Sequence, residues 1–358
     1  MRGTARHAAL LPLAGLVAST VAAFAETGAP STANAEPRQG GRALELPELH
    51  QVEVLRLDPA LDRLVPAAAA AEKLAAGFLF TEGPLWLPEG ALLFSDPNAN
   101  RIYRWSAAGG LTLFRDHSGY NGADIAAYTQ PGSNGLALDP RGRLTICEHG
   151  NRRVTRLEKD GTLAVLADRY LGHRLNSPND LVYRSDGSLY FSDPPFGLPK
   201  SFDDPRKEVP FQGVYRFSKD GKLTLLTKDI KAPNGIAFSP DEKKVYVSNA
   251  DPMNAVWMVY EVKGEGTIEN GRVLFNATAW TKSKPGVPDG MKIDREGNIF
   301  GAGPGGIHVI SPDGQHLGSI ETGVPTGNVA WGEDGSSLFI TSNTNVFRLK
   351  LTTKGAGF

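Results

Sequence analysis

Asn179-Asp-Leu-Val-Tyr-Arg-Ser-Asp-Gly187-Ser-Leu-Tyr-Phe-Ser-Asp193 sets a polar residue ahead of a short apolar run, a turn eight positions on, and a second apolar run. Four other segments repeat it: Glu82-Gly-Pro-Leu-Trp with its turn at Gly90, Asn134-Gly-Leu-Ala-Leu with Gly142, Asn234-Gly-Ile-Ala-Phe with Glu242, and Asp289-Gly-Met-Lys-Ile with Gly297. Outward from each pair of runs a loop leads to a third run, here Gly213-Val-Tyr-Arg-Phe, and a turn such as Lys219-Asp-Gly leads to a fourth, Leu223-Thr-Leu-Leu. Four short antiparallel strands in a unit of about 50 residues are the pattern of a propeller blade. A sixth unit, Val329-Ala-Trp, Ser337-Leu-Phe-Ile and Val346-Phe-Arg-Leu, ends the chain without a fourth strand.

The repeat predicts an all-β protein, a six-bladed β-propeller with four antiparallel strands per blade and the last blade closed by an N-terminal strand. A β-sandwich or a solenoid would show similar turn spacing but not six registered copies with a spare strand. Val52-Glu-Val-Leu-Arg-Leu, which has no partner of its own, is expected to supply the closing strand and so remove an exposed edge. The Ala-rich run from Pro66 to Ala76 is expected to form a short peripheral helix.

The chain has 358 residues, with 41 Gly and 25 Pro against 8% aromatics, which suits many short elements joined by turns. Its 38 basic and 39 acidic residues nearly cancel, so no electrostatic footprint for nucleic acid or an anionic membrane is present. A small neutral or weakly charged ligand suits it better. Residues 1–25 read as a secretory signal peptide: Arg2 and Arg6 precede an apolar run from Ala8 to Ala23 and then Ala23-Phe24-Ala25. This run is short and polar-interrupted for a bilayer span. Residues 26–45 read as a flexible leader and residues 46–358 as the single propeller domain. The expected location is therefore exported, in the periplasm. Cys147 is the single cysteine, so no internal disulfide is possible, and its apolar surroundings make it a buried strand thiol.

In a propeller the innermost strand of every blade lines a central channel, so Glu82, Asn134, Asn179, Asn234 and Asp289 should converge near one mouth. The sixth copy places Gly327 there, with Asn328 next. Taken singly, Asn-Gly and Asp-Gly are turn formers. The polar residue recurs, however, in Asn179-Asp180 and Glu82-Gly83, where turn chemistry does not ask for it. Two carboxylates and up to three amide oxygens form a hard cage for one divalent cation, Ca²⁺ first, with Mg²⁺ and Mn²⁺ as alternatives. Zn²⁺ is less suited, because no thiolate or imidazole stands at a ring position. Loops leaving the second strands bring Ser192-Asp193 and Glu148-His149-Gly150 to the same mouth, where His149 could orient a substrate or shuttle a proton. Two long segments, residues 116–133 and 194–212, should overhang it, with Tyr120, Phe196 and Phe202 as candidate walls.

The chain resembles the family of senescence marker protein, gluconolactonase and luciferin-regenerating-enzyme-like propellers, in its bacterial gluconolactonase branch. The resemblance rests on Glu82-Gly-Pro, Asn176-Ser-Pro-Asn179-Asp180, Pro233-Asn234-Gly, Pro288-Asp289-Gly-Met and Cys147-Glu-His149-Gly-Asn-Arg152-Arg153, and spans about residues 78–350. It implies a divalent ion on the residues matching Glu82, Asn179, Asn234 and Asp289, and hydrolysis of a lactone with Asp289 as both ligand and proton acceptor or donor. Asn134, His149 and Asp193 are left as substrate contacts, and His149 as the reserve catalytic group. Ser177 stands where several sugar-lactonase members carry an arginine.

The resulting expectation is an enzyme, a hydrolase of carboxylic esters that takes glucono-1,5-lactone to gluconate by attack of an activated water. No Gly-x-Ser-x-Gly elbow occurs, which removes a serine triad. The alternatives are a metal-dependent phosphotriesterase or arylesterase on the same cage, or a non-catalytic binding propeller with a structural metal.

Overall fold

The computed structural model describes residues 49–358; the signal peptide and the leader inferred from sequence lie outside the described residues. Six antiparallel sheets of four or five strands follow one another along the described residues, each with an inner strand on the axis, and a two-stranded hairpin, Arg169–Tyr170 with His173–Arg174, lies between the second and third. The inner strands of blades one, two, four and six are Glu82–Leu87, Ser133–Leu138, Pro233–Phe238 and Thr326–Gly332, and those of blades three and five are the shorter Leu181–Tyr183 and Met291–Ile293. The architecture is the six-bladed propeller that the repeat predicts.

The closure differs from expectation in its assignment. The fourth strand of blade six is Ala70–Ala76, the run expected to be helical; it pairs antiparallel with Asn345–Lys350 on one side and with a short fifth strand, Leu49–Gln51, on the other. Alanine favours a helix only by default. Here the unpaired edge of blade six offers a full ladder of backbone partners, and Arg348 forms an ion pair with Glu72 across it. The segment expected to close the ring instead supplies Glu53–Arg56, a fifth strand on the outer edge of blade five against His316–Glu321. Between these two strands Asp58 caps the 3₁₀ turn Pro59–Arg63, its carboxylate accepting from the Ala60 N–H at 2.7 Å. That turn drives Leu61 and Val65, both fully buried, into the core between blades five and six. One N-terminal stretch therefore ties two blades.

The core lies between blades. Phe339 of blade six stacks on Trp86 of blade one at 4.8 Å between centroids, within a cluster that includes Leu92, Phe94, Trp105 and Val346. Burying each such side chain contributes about 1.5–3 kcal/mol. Cys147 is a buried free thiol on the strand Leu144–Glu148, and burial pushes its pKa up.

Blade five carries a histidine pair, His308 buried and His316 half-buried. His308 Nδ1 lies 3.1 Å from His316 Nε2, Trp280 stacks on the His308 ring, and Phe275 packs against both imidazoles. Burial, with the His316 ring and the Lys284 charge beside it, pushes the pKa of His308 down from 6.5 to about 3. The unfolded chain therefore takes up a proton near pH 6.5 that the folded chain does not. Stability from this group is complete above that pH and is lost as pH falls toward 3. Thermal melts from pH 7 to pH 4 should show this loss, and His308→Gln should flatten the slope. An unchanged slope in the variant would assign the acid sensitivity to other groups.

Candidate functional site

A β-bulge interrupts the inner-strand pairing at Glu82/Leu85, Ser133/Leu136 and Pro233/Ile236, at the repeated polar-Gly step. The bulge turns the polar side chain to the axis and brings the backbone of neighbouring blades into contact. The Gly135 N–H donates to the Asn179 carbonyl at 2.7 Å, and the Gly290 N–H to the Gly327 carbonyl at 2.8 Å. Serines of the second strands hold the carbonyls of three other cage positions: Ser95 Oγ donates to Asn134 O at 2.7 Å, Ser192 Oγ to Asn234 O at 2.6 Å and Ser248 Oγ to Asp289 O at 2.9 Å. The glycine after the polar residue serves this approach. A Cβ on Gly83, Gly135 or Gly235 would lie 2.0, 2.6 or 2.4 Å from the carbonyl oxygen of Asn134, Asn179 or Asp289.

This frame gathers Glu82, Asn134, Asn179, Asn234 and Asp289 on one cavity of about 340 Å³. A larger cavity, about 400 Å³, lies off the axis between blades two and three, where Asp139 and Glu158 already pair with Arg143 and Arg156. The axial cavity is the one with converging groups. Its amides form a chain: Asn134 Nδ2 donates to Asn179 Oδ1 at 3.0 Å, and Asn179 Nδ2 donates to Asn234 Oδ1 at 2.5 Å. Asn134 Oδ1 is buried without a partner.

Both cage carboxyls have a raised proton affinity. Burial, with repulsion from Asp180, pushes Glu82 up from 4.5 to about 8, against a hydrogen bond from the Gly83 N–H. Burial and then the Glu82 and Asp180 charges raise Asp289 well above the usual carboxylate range. Among the described residues no three His, Cys, Asp or Glu side chains gather into a metal-holding group, so amide oxygens would have to complete any coordination. Two mutually repelling carboxylates, two ring amides and an orphaned amide oxygen are the donor chemistry that a hard divalent cation satisfies, so the residues present fit one.

Two of the sequence candidates sit elsewhere than expected. His149 is fully buried behind the cage and does not line the cavity; its Nε2 is 3.0 Å from Asn179 Oδ1, and burial holds its pKa down at about 4, so the ring is neutral. Its contact is with a cage residue rather than with the cavity, because the Gly197 backbone packs against its Cβ and closes the way out. Asp193 also turns away: its carboxylate accepts from the Asn176 N–H at 2.8 Å. The equivalent Asp96 and Asn249 accept from the N–H groups of Leu79 and Ala232 in the same way. This position holds the loop that leads into the inner strand.

Both long loops wall the cavity, one through Thr129 and Gln130 and the other through Phe196, Leu198, Pro199 and Ser201. Of the candidate walls only Phe196 lines it; Phe202 packs edge-on to Phe196, and Tyr120 packs on Tyr128. Arg206 clasps the two loops from outside, donating to Asp124 and to the Tyr128 hydroxyl at 3.2 Å each. Asp180, Asn328 and Lys292, not singled out as site residues from sequence, form a second layer beneath the cage. A signal existed: where four copies have glycine after the cage residue, blades three and six have Asp180 and Asn328.

A propeller with one axial cage of oxygen donors is a broad class, and comparison narrows it. The SMP-30/Gluconolactonase/LRE-like region is matched over residues 80–344. A gluconolactonase of Zymomonas mobilis subsp. mobilis is 37% identical over 310 residues, covering 85% of this chain and 87% of its own. A gluconolactonase structure from Xanthomonas campestris superposes with a TM-score of 0.73 at 31% identity, over 88% of this chain and 98% of its own. A luciferin-regenerating enzyme, at 21% identity and a TM-score of 0.64 over 80% of this chain and 97% of its own, shares the fold. The chain belongs to the SMP-30/gluconolactonase/LRE-like family, and it is a carboxylic-ester hydrolase of the lactonase kind.

Proposed function

We propose that the protein hydrolyses a sugar lactone, glucono-1,5-lactone first, at the axial cavity. The observation that carries this reading is the convergence of Glu82, Asn179, Asn234 and Asp289 on the floor of a cavity walled by Thr129 and Gln130 on one loop and by Phe196 and Leu198 on the other. A polyhydroxylated ring has apolar C–H faces and polar edges, and such mixed walls suit it. Glu82, Asn179, Asn234 and Asp289 would hold a divalent cation, Ca²⁺ first. The ion supplies positive charge for the oxyanion that forms when the lactone carbonyl is attacked.

Asp289 takes a proton from the attacking water, whose oxygen bonds to the carbonyl carbon. When the ring C–O bond breaks, Asp289 returns that proton to the departing alkoxide and is regenerated, leaving the hydroxy acid. His149 acts one step back, orienting Asn179 through its Nε2. His149→Ala should therefore lower cation affinity or activity about 10- to 100-fold with the fold intact. Unchanged binding and kinetics would make the contact merely structural.

The deciding assay is hydrolysis of glucono-1,5-lactone, followed by pH indicator, on chelator-stripped protein given Ca²⁺, Mg²⁺, Mn²⁺ or Zn²⁺ in turn. Activity restored by one ion supports both substrate class and cation; no turnover with any ion sinks the reading. Residues 1–25 support export to the periplasm, and a mature N-terminus at Glu26 in secreted material would test it.

A further inference from the structure

Three residues beyond each cage position the inner strands carry Leu85, Ala137, Val182, Ala237 and Ala330 in five blades, and Lys292 in blade five. Several of these positions line a second cavity at the opposite mouth of the channel, so the lysine rises toward the cage through aliphatic surroundings. An ammonium is costly there unless it meets partners and an opposing charge. Lys292 Nζ donates to Met291 O at 3.1 Å and lies 3.5 Å from Asn328 Oδ1. Asn328 Nδ2 in turn faces Asp180 Oδ2 at 3.4 Å, reaching across the axis from blade six to the opposite blade three. Asn328 and Asp180 are both buried.

The cage and this layer share one charge balance. Glu82, Asp180 and Asp289 bring three negative charges when ionised and Lys292 one positive; Lys292 reaches Asp180 through Asn328 rather than by a direct ion pair. What remains is the charge that a single divalent ion neutralises. We infer that Lys292 is the built-in counter-charge of the axial site, acting through Asn328 to offset Asp180 and so tuning the cage to one divalent cation over ions of other charge. Lys292 is a positioning and specificity-determining residue; it touches no substrate. The inference rests on the proposed cation in the cage.

Competition between Ca²⁺ and Tb³⁺ for the chelator-stripped full chain tests it, with calorimetry for stoichiometry and sensitised Tb³⁺ emission for affinity. The parent should bind one ion per chain. Lys292→Met should raise the Tb³⁺-over-Ca²⁺ affinity ratio about tenfold, and Asp180→Asn should lower it by a similar factor. A packing role for Lys292 would weaken both ions alike and leave the ratio unmoved. Circular dichroism reports whether each variant folds, and if Lys292→Met does not, the direction of the Asp180→Asn shift decides alone. Ratios that stay at the parental value, or shift in the same direction in both variants, overturn the counter-charge. A parent that binds neither ion overturns the occupied cage as well, so the two failures are distinct.

Discussion

Asp289→Asn is expected to lower lactone turnover about 10³-fold or more while leaving the propeller folded. Asparagine keeps the shape of the side chain but removes both the negative charge and the proton acceptor, and no other cavity-lining group except Glu82 can accept a proton as a carboxylate. The same exchange should act in the opposite direction on stability in the absence of cation. Glu82 is buried and Asp289 half-buried, and the Glu82 charge raises the proton affinity of Asp289, so exchanging that carboxyl for a neutral amide removes an electrostatic cost. The chelator-stripped variant should melt at or above the stripped parent. Retained turnover would sink the proposed proton transfer.

The pH dependence follows from the same pair. Because Glu82 is pushed up to about 8 from 4.5, the folded, cation-free chain holds a proton that the unfolded chain has released. The stabilisation is complete below 4.5 and is lost as pH rises through about 8. Above pH 6.5, where the His308 contribution is already complete, melts of stripped parent should therefore decline up to pH 8, and added Ca²⁺ should flatten the decline.

Gly235→Ala is the second large effect. Gly235 has an ordinary backbone conformation, so the cost is one of space: an added Cβ would stand 2.4 Å from Asp289 O and 2.7 Å from Gly290 Cα. Both are backbone atoms of the neighbouring inner strand and cannot swing aside. Blades four and five would have to part at the cage, breaking the Ser248 bond to Asp289 O. A loss of about 3 kcal/mol in stability, with cation affinity falling alongside, is expected. Denaturant melts and calorimetry on one preparation measure both. A variant with parental stability would show that the inner strands are not packed against each other as tightly as these distances require.

Much of the molecule was legible in the chain itself. The polar-apolar-turn pattern repeats with strand periodicity, and six registered copies leave few architectures open, so the propeller and the convergence of Glu82, Asn134, Asn179, Asn234 and Asp289 could be read directly. Strand assignment at the N-terminus could not. Ala70–Ala76 has the local preference of a helix and becomes a strand because blade six presents an open edge, a long-range fact absent from its own residues. The repeat also ranked His149 and Asp193 with the cavity, since loop position is local; which way each side chain turns depends on packing against Gly197 and Asn176.

The ring of blades and the polar residues gathered on its axis are written in the chain, because both follow from short-range periodicity repeated around an axis. Long-range packing settles which strand seals the ring, why glycine follows four of the five polar residues, and that Lys292, Asn328 and Asp180 meet beneath the cage. Those three belong to different blades, and residues far apart in the chain acquire a common charge balance only when closure brings them onto one axis.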